Sequence, residues 1–452
     1  MADLSARTGG RLHAAVLRID AATPPDRDRA IDTLRALAVL GVVIGHWLVT
    51  GVVLRASGHL MGDSPLSHMP AFTPVSWMLQ PLAVFFFIGG RVAAQGYATA
   101  RFRGAGYREW LGRRMRRLLQ PVAALLIVWT LVTIGLIAAG IAHETIHTLL
   151  KLVLSPLWFI LVFAALTAAT PLVYRAGRRL ALSAGLLVAV LDLTYFASGE
   201  SDWAGTLRSA NVLAGWLVPY CLGAVWAAGG FARRRSSAAL LAAGLIGAAG
   251  LILWGGYPAS MVGVPGERMS NLDPPSLAAL AFGCAQCGAA LLLCGPLRRM
   301  TGGHPPAAGD AIREEGRREE GRATPAQFAW AAVAMLNLSA VTVFLWHQTA
   351  MLETTVVVLG FDRPFLGLHT SPDHPAWALA RLGWIPLFFL MLVALCAVFR
   401  GLENASRTRR APKASRTARP QAGPAPSGSV GPPPGARPAL PLSGARLLDH
   451  HG

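Results

Sequence analysis

The sequence predicts an all-α integral membrane protein with about ten transmembrane helices and both termini in the cytoplasm. Three observations carry that prediction. Of 452 residues, 53% are hydrophobic and only 14% charged, where a soluble chain carries about a quarter charged residues. Ten stretches are long and apolar enough to cross a bilayer, each near the required ~20 residues. The loops between them alternate between basic and nearly uncharged, which is the positive-inside pattern of a polytopic protein.

Taken in order, the apolar stretches run over 34–54, 74–95, 118–141, 149–172, 180–197, 211–230, 237–256, 276–297, 329–359 and 376–399. The ninth is long enough to tilt or to begin as an amphipathic turn. The inward loops are basic: Arg27 and Arg29, then RFRGAGYREWLGRRMRR, then Arg175, Arg178 and Arg179, then Arg233–Arg235, then Arg298 and Arg299. The outward loops carry about one basic residue each, namely Arg55, Lys151, Arg208, Arg268 and Arg363. Hydropathy and charge are independent signals and agree at every loop. They imply a multi-pass protein of the plasma or inner membrane, with the lipid bilayer as its constant partner.

Residues 1–28 contain Arg and Pro but no long apolar core, and read as a disordered cytoplasmic tail rather than a cleaved signal. The membrane domain then covers 29–399, with a charged cytoplasmic insert at 298–327. Residues 400–452 are basic and rich in Pro, Ala and Gly, and read as a disordered tail. The formal charge of +18 does not indicate nucleic acid, because the basic residues lie in clusters between spans instead of along one soluble face.

The first span, IDTLRALAVLGVVIGHW, keeps Asp32, Arg35 and His46. Arg35 and His46 are 11 residues apart, which at about 100° per residue places both on one stripe, about 16 Å apart in height. Asp32 falls within about 40° of the same stripe. Ionisable groups at membrane depth are costly and commonly face a cavity or a partner. His347 in FLWHQ and Asp192 reach comparable depth, so a cavity bounded by spans one, four and nine is expected. A packing histidine or aspartate is the competing reading of each.

Between spans two and three, Arg113, Arg114, Arg116 and Arg117 form two RxxR pairs. Guanidinium forks bind phosphates bidentately, so the cluster suits a phosphorylated cytoplasmic ligand such as a nucleotide or coenzyme A. It equally serves as a topology anchor. Two other motifs compete for chemistry. HETIH (143–147) has the HExxH spacing of a zinc hydrolase, but it lies in a short outward loop and no third ligand follows from spacing. The Cys284/Cys287 CxxC sits within an apolar helix, where packing by small side chains accounts for it. No metal is assigned. Ten spans with buried charges also fit a transporter or a flippase of envelope precursors.

Five stretches occur in an order that resembles acyltransferase family 3: RAIDTLRALAVLGVVIGHW, PLAVFFFIGG, RRMRRLLQP, PLWFI and FLWHQTA. The resemblance covers residues 29 to about 399. It implies an integral-membrane acyltransferase transferring groups other than amino-acyl groups. The donor would be acyl-CoA (acetyl-CoA the expected co-substrate, with no permanently bound cofactor) and the acceptor a hydroxyl of an envelope carbohydrate, lipid or metabolite. Position by position, His46 matches the family's essential histidine and Arg35 its partner. Arg113/Arg116 or Arg114/Arg117 match the coenzyme A pair, and Trp158 and His347 match supporting positions, with Asp32 beside them. Gly89 departs from the pattern, standing where many members carry Ser.

Overall fold

Asp28 starts the first spanning helix. Its carboxylate accepts from the Ala30 amide at 3.2 Å, satisfying one of the donors that a helix N-terminus leaves open. Arg298 grips the same carboxylate with two nitrogens at 3.1 and 2.7 Å. The structure, a computed structural model, describes residues 2–303, 322–361 and 364–408. Met1–Ser406 form one unit; of a second, Arg407–Gly452, only residues 407 and 408 are described.

The chain order is α1 (Ala2–Ala21), α2 (Arg29–Val49), a short hairpin of β1 (Gly51–Leu54) and β2 (Leu60–Asp63), then α3 (Pro65–His68), α4 (Thr73–Met78), α5 (Leu82–Phe102) and α6 (Tyr107–Ala138). There follow α7 (His143–Leu154), α8 (Leu157–Ala168), α9 (Thr170–Ala197), α10 (Asp202–Arg208), α11 (Asn211–Ala227) and α12 (Arg234–Trp254). The last described helices are α13 (Leu277–Met300), α14 (Pro325–Leu338), α15 (Ala340–Leu359) and α16 (Pro375–Thr408). Among the described residues nine helices are long and apolar enough to cross a membrane, or ten if the bent pair α14/α15 is one span. The chain is therefore an all-α, multi-pass membrane protein, as composition and hydropathy imply.

Close backbone approach holds the centre of the bundle. A Cβ at Gly90 of α5 would lie 1.9 Å from the Tyr220 carbonyl oxygen of α11, and a Cβ at Gly223 would lie 1.9 Å from that of Phe87. Only glycine permits this crossing. In a bilayer, where helix association relies on van der Waals contact and not on expulsion of water, such crossings are a principal source of cohesion. Aromatic stacks flank it, Phe86 on Trp216 and Phe87 on Trp226, with centroids 5.0 and 5.1 Å apart.

The breaks in spans four and nine border the cavities described below. Span four divides at Ser155–Pro156 into α7 and α8, because Pro156 has no N–H to continue the ladder. Span nine bends by 77° at Ser339, between α14 and α15. There the Asn337 amide donates to the Asp32 carbonyl of α2 at 2.7 Å and to Val333 at 2.9 Å, which ties the bend to the first spanning helix.

The expectation of a disordered N-terminal tail is corrected: residues 2–21 form α1. Val16 is buried against Ala323 and Ala331, and with Ile19 it makes a short apolar face that a search for long apolar runs overlooks. Polar contacts fasten the same region. Asp20 accepts from Arg29 (2.7 Å) and Gln327 (2.9 Å), and the Trp330 indole donates to Thr23 (2.8 Å). The C-terminal helix likewise continues beyond 400, to Thr408. Within the charged insert, residues 304–321 lie outside the described residues, as does the tail from 409.

Asp192 is structural. Fully buried, it accepts from Arg208 (2.7 Å), Asn211 (3.0 Å), Tyr257 (3.1 Å) and the Leu277 amide (2.7 Å). This is the paired and hydrogen-bonded state that a buried carboxylate requires.

Candidate active site

His46 stands one turn before the end of α2, and its cavity is lined by residues of α7, α8 and α15 together with others outside the first, fourth and ninth stretches. From α15, the Gln348 side-chain amide meets His46 Nδ1 at 3.2 Å. His347 lies beside it, with ring centroids 5.1 Å apart. The His347 ring is fully buried, and its Nδ1 donates to the Phe344 carbonyl of the preceding turn at 2.6 Å. That bond fixes the tautomer and leaves Nε2 a buried acceptor without a partner. The Gln348 oxygen is likewise buried and unpartnered. Polar atoms so placed are costly unless something pairs with them.

The backbone around His46 is held from behind. The Trp47 indole donates to the His347 carbonyl at 2.9 Å, linking α2 to α15 at the level of the imidazole. Arg381 of α16, wholly buried, donates to the Trp47 carbonyl (2.7 Å), the Thr50 carbonyl (2.7 Å) and the Gly367 carbonyl (2.9 Å). These include carbonyls that the C-terminus of α2 leaves unpaired, and a cation suits the negative end of a helix dipole.

Two cavities lie at this site and share lining residues. The first encloses about 520 Å³ and is lined by His46, Gln348, Trp158, His147 and Lys151 among others. The second encloses about 350 Å³ and is lined by Arg35, Arg114, Arg117, Asn337, Gly89 and Phe163 among others. Two residues line both, Phe159 and Phe344. Their rings are 5.0 Å apart and both side chains are almost fully buried.

Arg35 and His46 thus share a helical stripe but serve different cavities. Arg35 lies 3.3 Å from Asp32, which also takes Arg27 at 2.5 Å; Asp32 balances these cations and lines neither cavity. The arginine cluster divides as well. Arg114 and Arg117 reach the second cavity, whereas Arg113 pairs with Glu109 on the exposed side, and Arg116 is exposed and lines neither cavity. Arg114 is steadied by a bond to the Val92 carbonyl (3.0 Å) and by the Trp110 ring beneath its guanidinium.

Trp158 follows the Pro156 break and faces the first cavity. In HETIH, His147 lines that cavity too, and the His143 and His147 ring centroids are 6.5 Å apart. Among the described residues no three His, Cys, Asp or Glu side chains are grouped to hold a metal. Glycine at position 89 also has a reason: a Cβ there would sit 2.4 Å from the Phe163 ring. A side chain at 89 and this placement of Phe163 exclude one another.

Sequence reasoning did not single out Gln348, Phe159, Phe344 or Arg381. Gln348 and Phe344 stand in the FLWHQTA stretch, but attention to titratable groups favours the histidine between them.

A protein-family model described as an acyltransferase domain matches residues 28–401, nearly the whole chain. No curated protein and no solved structure gives a match.

Proposed function

The chain belongs to acyltransferase family 3 and is a multi-pass membrane acyltransferase, and from that premise we propose that it moves an acyl group from cytoplasmic acyl-CoA to a hydroxyl of an envelope carbohydrate, lipid or metabolite. The observation that carries this reading is the pairing of cavities. One is lined by Arg35, Arg114 and Arg117, the other by His46, and Phe159 and Phe344 line both. Guanidinium groups suit the phosphates of coenzyme A, and an imidazole suits proton transfer to and from a hydroxyl. Family membership favours this reading over a carrier and over a zinc hydrolase.

With both termini in the cytoplasm of an inner-membrane protein, the arginine cavity opens to the donor side and the His46 cavity to the acceptor side. His46 takes the proton of the acceptor hydroxyl as its oxygen attacks the thioester carbonyl. The carbon–sulfur bond then breaks, and the departing sulfur receives the proton, leaving an ester and free coenzyme A. Gln348 orients the imidazole through the 3.2 Å contact between its side-chain amide and Nδ1. Asp32 keeps Arg35 in place, while Trp158 and His347 shape the space around the imidazole.

The test is thiol release from acetyl-CoA by purified, reconstituted protein, with and without an envelope extract. Extract-dependent release that is lost in His46→Ala, with the variant still folded, supports the reading. Near-normal release in His46→Ala overturns the role of the histidine. No release and no binding of acetyl-CoA by the wild type overturns the donor.

A further inference from the structure

The proposed donor and base occupy different cavities, so the acyl group must cross whatever separates them. We propose that Phe159 and Phe344 form an aromatic partition that passes only a short acyl thioester, excludes water from it, and so sets the length of the transferred chain. This rests on the acyl-CoA reading given above and deepens it.

Phe159 and Phe344 line both cavities, are 2% and 5% exposed, and stand with ring centroids 5.0 Å apart. Two further rings collar the arginine side: Phe85 lies 4.9 Å from Phe159 and 5.5 Å from Phe163. Phe163 occupies the space that a side chain at position 89 would need, since a Cβ there comes within 2.4 Å of its ring. Four aromatic side chains, Phe85, Phe159, Phe163 and Phe344, therefore line the smaller cavity. On the far side, the Phe344 ring is 5.9 Å from that of His347, and its carbonyl holds His347 Nδ1. Phe344 is one turn before Gln348, so the wall of the partition and the group touching His46 belong to one rigid helix.

The geometry has two consequences. A chain longer than acetyl must displace buried rings, and a single methylene in an apolar pocket already changes discrimination by about 10–200-fold. With the rings in place, water in the His46 cavity is kept from a thioester whose acceptor is not yet bound. If the wall is removed, water can add to the acyl carbon. The carbon–sulfur bond then breaks, the sulfur leaves and takes up the proton, and a carboxylic acid and free coenzyme A result.

The experiment measures acceptor-free thiol release from acetyl-, butyryl-, hexanoyl- and octanoyl-CoA. It compares reconstituted wild type with Phe159→Ala, Phe344→Ala, Phe159→Leu and Phe344→Leu. The leucine variants keep apolar bulk, so they report even if the alanine variants do not fold. Acceptor-free release from acetyl-CoA is expected to rise about tenfold or more in the alanine variants. The octanoyl-to-acetyl ratio should rise by about 10–200-fold, with smaller changes of the same sign in the leucine variants. A folded variant that keeps the wild-type ratio and the wild-type acceptor-free rate overturns the partition. Failure of the donor reading looks different: no chain length would then bind to, or release thiol from, the wild type or any variant, and the partition would fall with it.

Discussion

The side-chain amide of Gln348 lies 3.2 Å from His46 Nδ1, across the junction of α15 and α2. The contact joins residues 302 positions apart and gives the imidazole one orientation. Removing it should leave a base that is present but loosely aimed, and misplacement by about 1 Å costs about 10²-fold in rate. Gln348→Ala is expected to lower kcat by about 10–100-fold with KM for acyl-CoA little changed. Steady-state kinetics on reconstituted enzyme decide it, and a loss carried by KM alone would place Gln348 in donor binding instead.

The two arginine pairs should separate in the same assay. Arg114 and Arg117 line the second cavity, while Arg113 pairs with Glu109 on the surface. A hydrogen bond to a charged group contributes about 1.5–3 kcal/mol, so Arg114→Ala or Arg117→Ala should raise KM for acyl-CoA about 10–100-fold. Loss of an exposed i,i+4 pair costs only about 0.2–0.5 kcal/mol, and Arg113→Ala should change KM less than about threefold. The opposite ranking would move the phosphate site to the outer face of α6.

A pH dependence of stability follows from His369, in the loop between α15 and α16. Its Nδ1 accepts from the Phe365 amide (3.2 Å) and its Nε2 donates to the Thr355 carbonyl (2.8 Å), which requires the neutral ring. Burial lowers its pKa, the bond to Thr355 opposes that, and the nearby Arg381 charge lowers it further; the net result lies below the usual 6.5. A group whose folded value is depressed stabilises the fold fully above its ordinary value, and that stability is lost as the pH falls from there through the folded value. The unfolding midpoint in detergent should therefore drop between pH 7 and pH 5, and drop less in His369→Gln. Equal slopes in the two proteins would remove His369 from the account.

Much of the fold was legible because a bilayer imposes simple requirements. A span needs length and apolarity, which each of the stretches that became α2, α5, α6, α9 and α11–α13 possesses. Where the helix breaks, legibility falls. Pro156 announces the division of span four through its missing N–H, but the bend at Ser339 has no proline, and its tie, the Asn337 amide on the Asp32 carbonyl, spans 305 residues. Helix α1 escaped notice for the opposite reason: Val16 and Ile19 are too few to suggest a buried face until α14 supplies the other half.

By itself, then, the sequence determined that the chain is a many-helix membrane protein, that it resembles one acyltransferase family, and that Arg35 and His46 share a stripe of the first span. Those properties reside in composition, in motif order and in the 3.6-residue period of a single helix. Only the tertiary structure decided that Arg35 and His46 line different cavities, that Arg114 and Arg117 are the pair lining the second one, and that Gln348 touches the imidazole. It also placed Phe159 and Phe344 in the lining of both cavities. Each of these depends on how helices distant in sequence rotate and cross, and that is fixed by packing at contacts such as Gly90 on Tyr220, which no local pattern encodes.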